Sequence, residues 1–353
     1  MQKKTKKYMI KAVSLFLATM FVGVSTAFAG PVSAPAVPAM PGTTQPQAAP
    51  AFSTAATAYN QSPQVVREQT QTTLPGQNGA AYLGGASLTL LAPATISQNM
   101  SFVLQTKNGS LIVIDGGLRE DAPHLIQTIQ EKGGRVAAWL ITHPHSDHIG
   151  ALTEILNQNP APVQIDNIYY SFLERDTYQR GEHMGRMGDL DNLLAAFQNV
   201  SPEKLHTPLS KGQKIQVDDV TINVMNLPFR SLYNTFNNSS IAYRLDVNGK
   251  RILFLGDMGW DAGQNLLEKT SSEELKADVV QMAHHGQDGV EEGVYRVIRP
   301  EICLWPTPDW LWDNALNGQF NTGPWKTLTV RRWMENMGVQ MNFTAKGGDQ
   351  VLR

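Results

Sequence analysis

Cysteine is almost absent from this 353-residue chain. Cys303 stands alone, so no internal disulfide can form and stability must come from packing. Its surroundings, EICLW, read as buried core, which makes it an inert thiol rather than a nucleophile. Charge is missing from a long stretch. No Asp, Glu, Lys or Arg occurs between Lys11 and Arg67. From Gly30 to about Gln77 this stretch is Pro, Ala, Thr, Ser and Gln, which cannot bury enough apolar surface to offset chain entropy. A disordered Pro/Ala-rich tether is predicted over 30–79. The apolar run Ala12–Val24 is too short for a comfortable membrane span of roughly 20 residues. With five lysines before it and Ala27-Phe28-Ala29 after it, the run fits a secretory signal peptide over 1–29; an uncleaved membrane anchor is the alternative. No cysteine at that exit supports a lipid anchor. Export, to the outside of the cell or a periplasm, is therefore expected.

Excess positive charge is also lacking. The chain has 29 basic and 31 acidic residues, and removing the five signal-peptide lysines leaves 24 against 31, a formal charge of −7. Bulk charge of that sign does not support non-specific binding to nucleic acid, although a local basic patch is compatible with it. No short-period repeat is present.

What is present, from about residue 80 to 353, is an alternation of strand and helix patterns. SLTLLA (Ser87–Ala92), SFVLQT (Ser101–Thr106) and LIVID (Leu111–Asp115) read as strands, the last two joined at a KNGS turn. Ala122–Gln130 is helical. VAAWLIT (Val136–Thr142) is continuously apolar, as in a strand covered on both faces. A helix is predicted over Ala151–Asn157 and a strand over VQIDNIYYS. KIQVDDVTINVMNL alternates like a strand, and SIAYRLDVNGKRILFLGD like two strands joined at Asn248-Gly249. DVVQMA and ICLWP are further apolar strands. LWPTPDWLWDN, with Pro306 and Pro308, is expected to be a loop. Helices interleaved with two groups of strands predict an α/β, four-layer αββα sandwich over 80–353.

The densest chemistry lies in THPHSDHIG, Thr142–Gly150, which places three of the eight histidines and an aspartate within six residues, after an apolar strand. In an extended turn alternate residues point the same way, so His143 and His145 can share one cation, and Asp147 and His148 can face a second. Imidazole with carboxylate suits zinc, and also manganese or iron. Nothing points to a serine or cysteine nucleophile.

THPHSDHIG fits a His-x-His-x-Asp-His signature, and in this the sequence resembles the metallo-β-lactamase fold hydrolases. Further motifs follow in that family's order: LIVIDGG ending at Asp115-Gly116-Gly117, LFLGD ending at Asp257, and MAHHGQ with His284 and His285. The resemblance implies two divalent ions held by His143, His145, Asp147, His148, Asp257 and His285, with Asp257 bridging. It implies that Asp115 supports the histidine loop from behind. It implies His285 as the last ligand, with His284 facing the substrate as a proton or hydrogen-bond donor; the reversed pair is the alternative. Asp147 and His284 are the expected catalytic residues, acting with a metal-activated water. One departure stands out. Most of the family has a further ligand histidine just before the penultimate strand, where this chain reads FNNSSIAYRL. Asn237 and Asn238 are placed behind the ligands there, and His183 or His206 is a candidate replacement. This version is similar to a branch that includes the hydrolase domain of DNA-uptake channels and the phosphorylcholine esterases of surface proteins.

The branch implies a phosphodiester substrate, small or surface-borne, with choline phosphate among the options. Trp305, Trp310 and Trp312 could enclose a quaternary ammonium or stack on a base, and Arg230, or Arg175, Arg180 and Arg186, could hold a phosphate. A secreted nuclease and a non-catalytic metal-binding module of the same fold are the alternatives. Association with the cell envelope is a further expectation.

Overall fold

Two sheets face each other across a shared apolar layer in the computed structural model, which describes residues 81–181 and 185–353. The expected signal peptide and tether, and His183, lie outside the described residues. The first sheet runs, in spatial order, Gln350–Leu352, Ser87–Leu90, Ser101–Gln105, Leu111–Asp115, Arg135–Leu140, Ile168–Tyr169 and Leu205–His206, with Gln164–Ile165 also paired to Arg135–Leu140. The second runs Met341–Thr344, Ile302–Trp305, Val279–Gln281, Lys250–Phe254, Tyr243–Val247, Val220–Val224 and Lys214–Val217.

Each strand sends alternate side chains to opposite faces. In Ser101–Gln105, Phe102 and Leu104 enter the layer between the sheets and Val103 turns outward. In Ile302–Trp305, Ile302 and Leu304 point inward while Cys303 and Trp305 point outward. Both faces are covered, which is why these strands read as unbroken apolar runs. Over the outer face of the first sheet lie Leu125 and Ile129 of helix Ala122–Glu131 and Ile149, Leu152 and Ile155 of helix Ser146–Leu156. Over that of the second lie Leu266 of helix Trp260–Lys269, Val294 and Ile298 of helix Glu292–Ile298, and Val330 and Met334 of helix Thr327–Asn336. The result is helix, sheet, sheet, helix. Phe102 meets Phe254 edge-on across the middle, ring centres 5.1 Å apart, a geometry contributing about 0.5–1.5 kcal/mol beyond burial. Among the described residues no helix is long and apolar enough to cross a membrane.

Three local expectations need correction. The helix expected from Ala151 begins at Ser146, because His145 has extended backbone and its carbonyl accepts the first helical amides, of His148 and Ile149 (3.0 Å each). Asp147 and His148 therefore sit on a helical first turn, not in an extended one. The expected strand VQIDNIYYS is broken into Gln164–Ile165 and Ile168–Tyr169. Between them Asn167 exchanges bonds with the neighbouring strand, its side chain donating to Ala137 O and its carbonyl accepting from Trp139 N–H. Finally, LWPTPDWLWDN is not all loop: Pro308 precedes a short helix, Asp309–Trp312.

Candidate metal centre

Every member of the histidine signature lies at one end of the sandwich, where strands from both sheets stop. Asp115, at the end of its strand, takes φ 58, a left-handed conformation that aspartate tolerates better than most residues. It is fully buried and saturated with donors. Thr142 donates to it twice, through its amide to Oδ1 and its hydroxyl to Oδ2 (both 2.7 Å), and His148 Nδ1–H donates to Oδ2 (2.7 Å). Burial pushes the Asp115 carboxyl up from its ordinary range, and the charge and bond of His148 pull against it. Because Nδ1 of His148 is bound from behind, its Nε2 is the free face, and it points at Asp257 Oδ2, 3.2 Å away. The Thr142 hydroxyl has spent its proton on Asp115, so its lone pairs accept His143 Nδ1–H at 3.2 Å. Asp115 thus steadies one imidazole directly and another through a hydroxyl.

The sheets are pinned together beside this loop. Tyr243 of the second sheet donates its hydroxyl to Ile141 O of the first (2.9 Å), and Ile241 N–H donates to Thr142 O (2.9 Å). Asp257 follows strand Lys250–Phe254 through Gly256 at φ 59. A Cβ on Gly256 would come within 2.9 Å of Ser240 Oγ and Thr142 Cβ, so only glycine lets the Asp257 turn approach the histidine loop this closely. Gln281 secures the same turn. Its Oε1 accepts Leu255 and Gly256 amides (2.8 and 2.9 Å), and its Nε2 donates to Gly256 O and Met282 O (3.1 and 2.7 Å).

Asp257 Oδ2 is the hub. His148 Nε2 lies 3.2 Å from it, His285 Nε2 3.3 Å, His143 Nε2 3.9 Å and His284 Nε2 4.0 Å. Asp147 Oδ2 approaches His285 Nε2 at 3.1 Å. Ligand atoms resolve into two sets, Asp147–His148–Asp257–His285 and His143–His145–Asp257, each within 4.8 Å. These are the spacings of atoms that share one cation, since metal–ligand bonds of about 2.0–2.2 Å put tetrahedral neighbours roughly 3.4 Å apart. The donor set fits a divalent ion on a second count. His148 Nε2, His285 Nε2 and Asp257 Oδ1 are buried with no hydrogen-bond partner among the described residues, a cost that a cation would remove. His285 is backed like His148: its Nδ1–H donates to Pro306 O at 2.9 Å, which turns Nε2 inward.

Charge divides the two sets. Burial favours a neutral His285, but Asp257 and Asp147 outweigh it and push its pKa up to about 10. His148 is raised likewise against burial by Asp257 and Asp115. Burial would raise Asp147 and Asp257, yet the imidazoles of His148 and His285 hold both well below the ordinary carboxylate range. By contrast burial lowers His143 well below its usual value and His145 to about 4. His143 Nε2 and His145 Nδ1 face each other at 3.1 Å, and the His145 ring stacks flat on Phe236, centres 4.9 Å apart.

Other sequence expectations are placed elsewhere. Trp305 is fully buried under the His284–Gly286 turn, where a Cβ on Gly286 would strike its ring at 2.3 Å, so it is core and not a substrate wall. Trp312 packs edge-on against Trp305 and under the Arg331 guanidinium. Trp310 donates to Ile96 O and packs on Trp325. These three do not form a cage. Arg230 is paired with Glu174 and bonded to Thr177, and Arg175 is paired with Asp191. Arg186 does touch the first turn of the metal helix, at Ser146 Oγ (3.5 Å). Asn238 is no ligand support: it donates to Tyr233 O and accepts from Ala262 N–H, tying a loop to helix Trp260–Lys269. His206 stacks on Tyr169 at the sheet edge and bonds Asn167, so it replaces no ligand. Asn237 does reach the centre, donating Nδ2–H to His284 Nε2 at 3.2 Å. His284 Nδ1–H donates to Asp288 O (3.2 Å), so its Nε2 presents a lone pair, not the proton expected of a donor to substrate. Phe236, Gln281, Ser240 and Tyr243 position the centre without any mark in the local sequence. Two aromatics that composition did not single out, Tyr233 and Trp260, are 75% and 57% exposed on the segments that Asn238 ties together.

A sequence profile of the metallo-beta-lactamase superfamily matches residues 94–292. Among curated proteins, the hydroxyacylglutathione hydrolase of Hahella chejuensis is 25% identical over 174 residues, 49% of this chain and 52% of that protein. The hydroxyacylglutathione hydrolase of Buchnera aphidicola subsp. Schizaphis graminum is 35% identical over 71 residues, 20% of this chain and 27% of that protein. The chain thus spans about half the length, or less, of the curated relatives it matches. Among solved structures it is similar to the metallo-beta-lactamase fold protein YhfI from Bacillus subtilis, with 12% identity and a TM-score of 0.46 over 75% of this chain and 99% of that one. It is also similar to a diphosphatase of the PhnP family, with 14% identity and a TM-score of 0.38 over 62% and 85%.

Proposed function

The chain belongs to the metallo-β-lactamase superfamily, and on that premise we propose that it is an exported metal-dependent hydrolase acting on a phosphodiester, small or carried on a surface, with choline phosphate groups in range. The observation that carries the hydrolase reading is Asp257 Oδ2 facing the Nε2 atoms of His148 and His285 at 3.2 and 3.3 Å and of His143 at 3.9 Å. Two divalent cations bound there, zinc by donor type with manganese or iron as alternatives, would acidify a water and draw off charge from the transition state. The chain's own groups do the rest. Asp257 is shared between the two sets of ligands. Asp147, held ionised by His148 and His285 and partly open to solvent, is placed to accept a hydrogen bond from water entering the cleft. Asp115 and Pro306 O fix the rings so that lone pairs face inward.

The phosphodiester reading is finer than the hydrolase reading. It is supported by the resemblance of the Asn237–Ser240 and His284–Gly286 segments to the phosphorylcholine esterase and DNA-uptake branch. Exposed Tyr233 and Trp260 supply faces on which a quaternary ammonium can rest. Export rests on the 1–29 pattern, and attachment near a cell envelope on the tether after it. Metal analysis and turnover on one panel test all of this: bis-p-nitrophenyl phosphate, p-nitrophenyl phosphorylcholine, single-stranded DNA and, given the curated relatives, a hydroxyacylglutathione thioester. We expect chelator-sensitive, metal-restored cleavage of the phosphodiesters. Cleavage of DNA alone would replace the reading by a nuclease, cleavage of the thioester alone would sink the phosphodiester reading, and ions without turnover would leave a binding module.

A further inference from the structure

We propose that the metal end of the sandwich is an interfacial surface that seats on a zwitterionic phospholipid bilayer, so that the phosphodiester entering the cleft is carried by a lipid. This rests on the reading of the cleft as a metal-dependent phosphodiesterase and names the surface that presents its substrate.

The observation is where the exposed apolar side chains lie. Among the described residues eight large ones are exposed, and seven belong to segments that leave the strands at the end where the metal ligands gather. One group stands on the side of the second sheet. Leu227, Leu232 and Tyr233 follow strand Val220–Val224 and lead into Phe236, whose ring stacks on His145, and Trp260 comes three residues after Asp257. The other group is Ile96, Leu316 and Phe320. Two residues past Ile96, Gln98 Oε1 accepts Gln287 Nε2–H (2.6 Å), two residues past His285. Leu316 and Phe320 follow helix Asp309–Trp312, and Trp310 of that helix donates to Ile96 O (2.6 Å). The eighth side chain, Leu194, is on helix Met187–Ala196. The opposite end of the sandwich is charged instead: Lys107 pairs with Asp219 between two hairpin turns, and Lys250 pairs with Asp278 and Glu301.

The ring is built, because the backbone under it is satisfied. Tyr233 N–H donates to Ser231 Oγ (3.1 Å), Tyr233 O accepts from Asn238 (2.9 Å), and Ser231 Oγ donates to Asp261 (3.1 Å). On the other side Thr322 Oγ1 accepts Leu316 N–H (3.1 Å), and Asn314 accepts Trp325 N–H at Oδ1 (3.1 Å) and Gly323 N–H at its carbonyl (2.8 Å). What these loops hold outward is apolar. Apolar side chains scattered singly need no explanation, but seven gathered at one end do.

The occupant follows from the cleft inside the ring. A protein partner or a second copy laid across it would close the cleft to substrate, whereas a bilayer delivers one. Tyrosine and tryptophan are the residues that settle at a bilayer–water interface. Leu227, Leu232, Leu316 and Ile96 add aliphatic area that enters the acyl boundary and offers nothing to a sugar. Charged groups on these segments are paired, Arg230 with Glu174, Lys326 with Asp288 and Lys346 with Asp313. With 24 basic against 31 acidic residues after the signal peptide, the chain has no excess cation to draw it to an anionic bilayer.

The test is flotation of the exported chain, beginning at Gly30, with phosphatidylcholine vesicles. The variants are L232S and F320S, one from each side of the ring (62% and 64% exposed), with L194S as the control outside it. Unchanged melting temperature and metal content show that each is folded. Wild type and L194S should float alike, and each ring variant should partition about 5–10-fold more weakly. Exchanging part of the phosphatidylcholine for phosphatidylglycerol should not strengthen binding. Wild type that stays in solution, or L194S losing as much as L232S and F320S, would overturn the proposal. So would a dimer that the ring variants dissolve, seen by light scattering, with no flotation, since the ring would then belong to a second copy. Flotation without cleavage of any soluble diester supports the surface and removes the phosphodiesterase reading; cleavage of soluble diesters without flotation overturns the surface and keeps that reading.

Discussion

The two halves of the centre are built on opposite electrostatic plans. On one side the carboxylates of Asp115, Asp147 and Asp257 surround His148 and His285 and raise both histidine pKa values against burial, with both rings braced at Nδ1. On the other, burial lowers the pKa of both His143 and His145, the Thr142 hydroxyl backs His143, and the Phe236 ring stacks on His145. A cation entering the first set therefore competes with protons that the carboxylates attract, whereas one entering the second does not. The two sets therefore differ in how strongly pH acts on them.

The largest blow to this asymmetry is Asp257→Asn, which weakens both halves together. We expect loss of both ions on elemental analysis and a fall in turnover of at least about 100-fold. Next, Asp115→Asn should act on both halves, through His148 directly and through Thr142 on His143, and Thr142→Val chiefly on the His143 side. The first removes the direct brace on His148 and should weaken the ion of the His148 half by about 10–100-fold in chelator competition. The second breaks the relay to His143 and should act mainly on the His143 half. If Thr142→Val weakens the His148 ion as much as Asp115→Asn does, the halves are not independent. A smaller effect is expected of Phe236→Ala, which removes the surface under His145. That loss is worth about 0.5–1.5 kcal/mol, a several-fold weaker second ion with the first unchanged.

The smallest effect belongs to the control. His124 and Asp349 make the same kind of pair as His148 and Asp115, at 2.9 Å, but at the outer edge, where Asp349 also accepts the Ala92 amide. The Asp349 bond raises the His124 pKa against burial. Its contribution is thus complete below the unfolded histidine value near 6.5 and is lost as pH rises through the raised folded value. His124→Gln should lower stability by about 1 kcal/mol on the acid side of that window, should make little difference in alkali, and should leave metal content alone. Thermal melts at both ends of the range check it.

The ligands of both halves were legible. They are short-range signals: a signature on one turn, a carboxylate ending an apolar strand and a histidine pair after another. The layered fold was legible for a related reason, since strands covered on both faces are apolar throughout and helices are not. What stayed hidden depends on contacts far apart in the chain. Whether a tryptophan in LWPTPDWLWDN faces a ligand or the core is decided by Gly286, which presses on Trp305 from another loop. Whether Arg230 is available for phosphate is decided by Glu174, 56 residues away. The start of the metal helix was misplaced because no usual capping residue marks it; a histidine serves at that position instead.

Gln281 has a consequence of its own. Fully buried, its carboxamide behaves as a borrowed peptide unit inserted between the ends of strands Lys250–Phe254 and Val279–Gln281, satisfying amides and carbonyls of the Asp257 turn on one side and of Met282 on the other. A spacer of that kind has a fixed length. Shortening it by one methylene would strip the Leu255 and Gly256 amides of their acceptor, so the place of Asp257 at the end of its strand hangs on the length of one side chain at the end of the neighbouring strand.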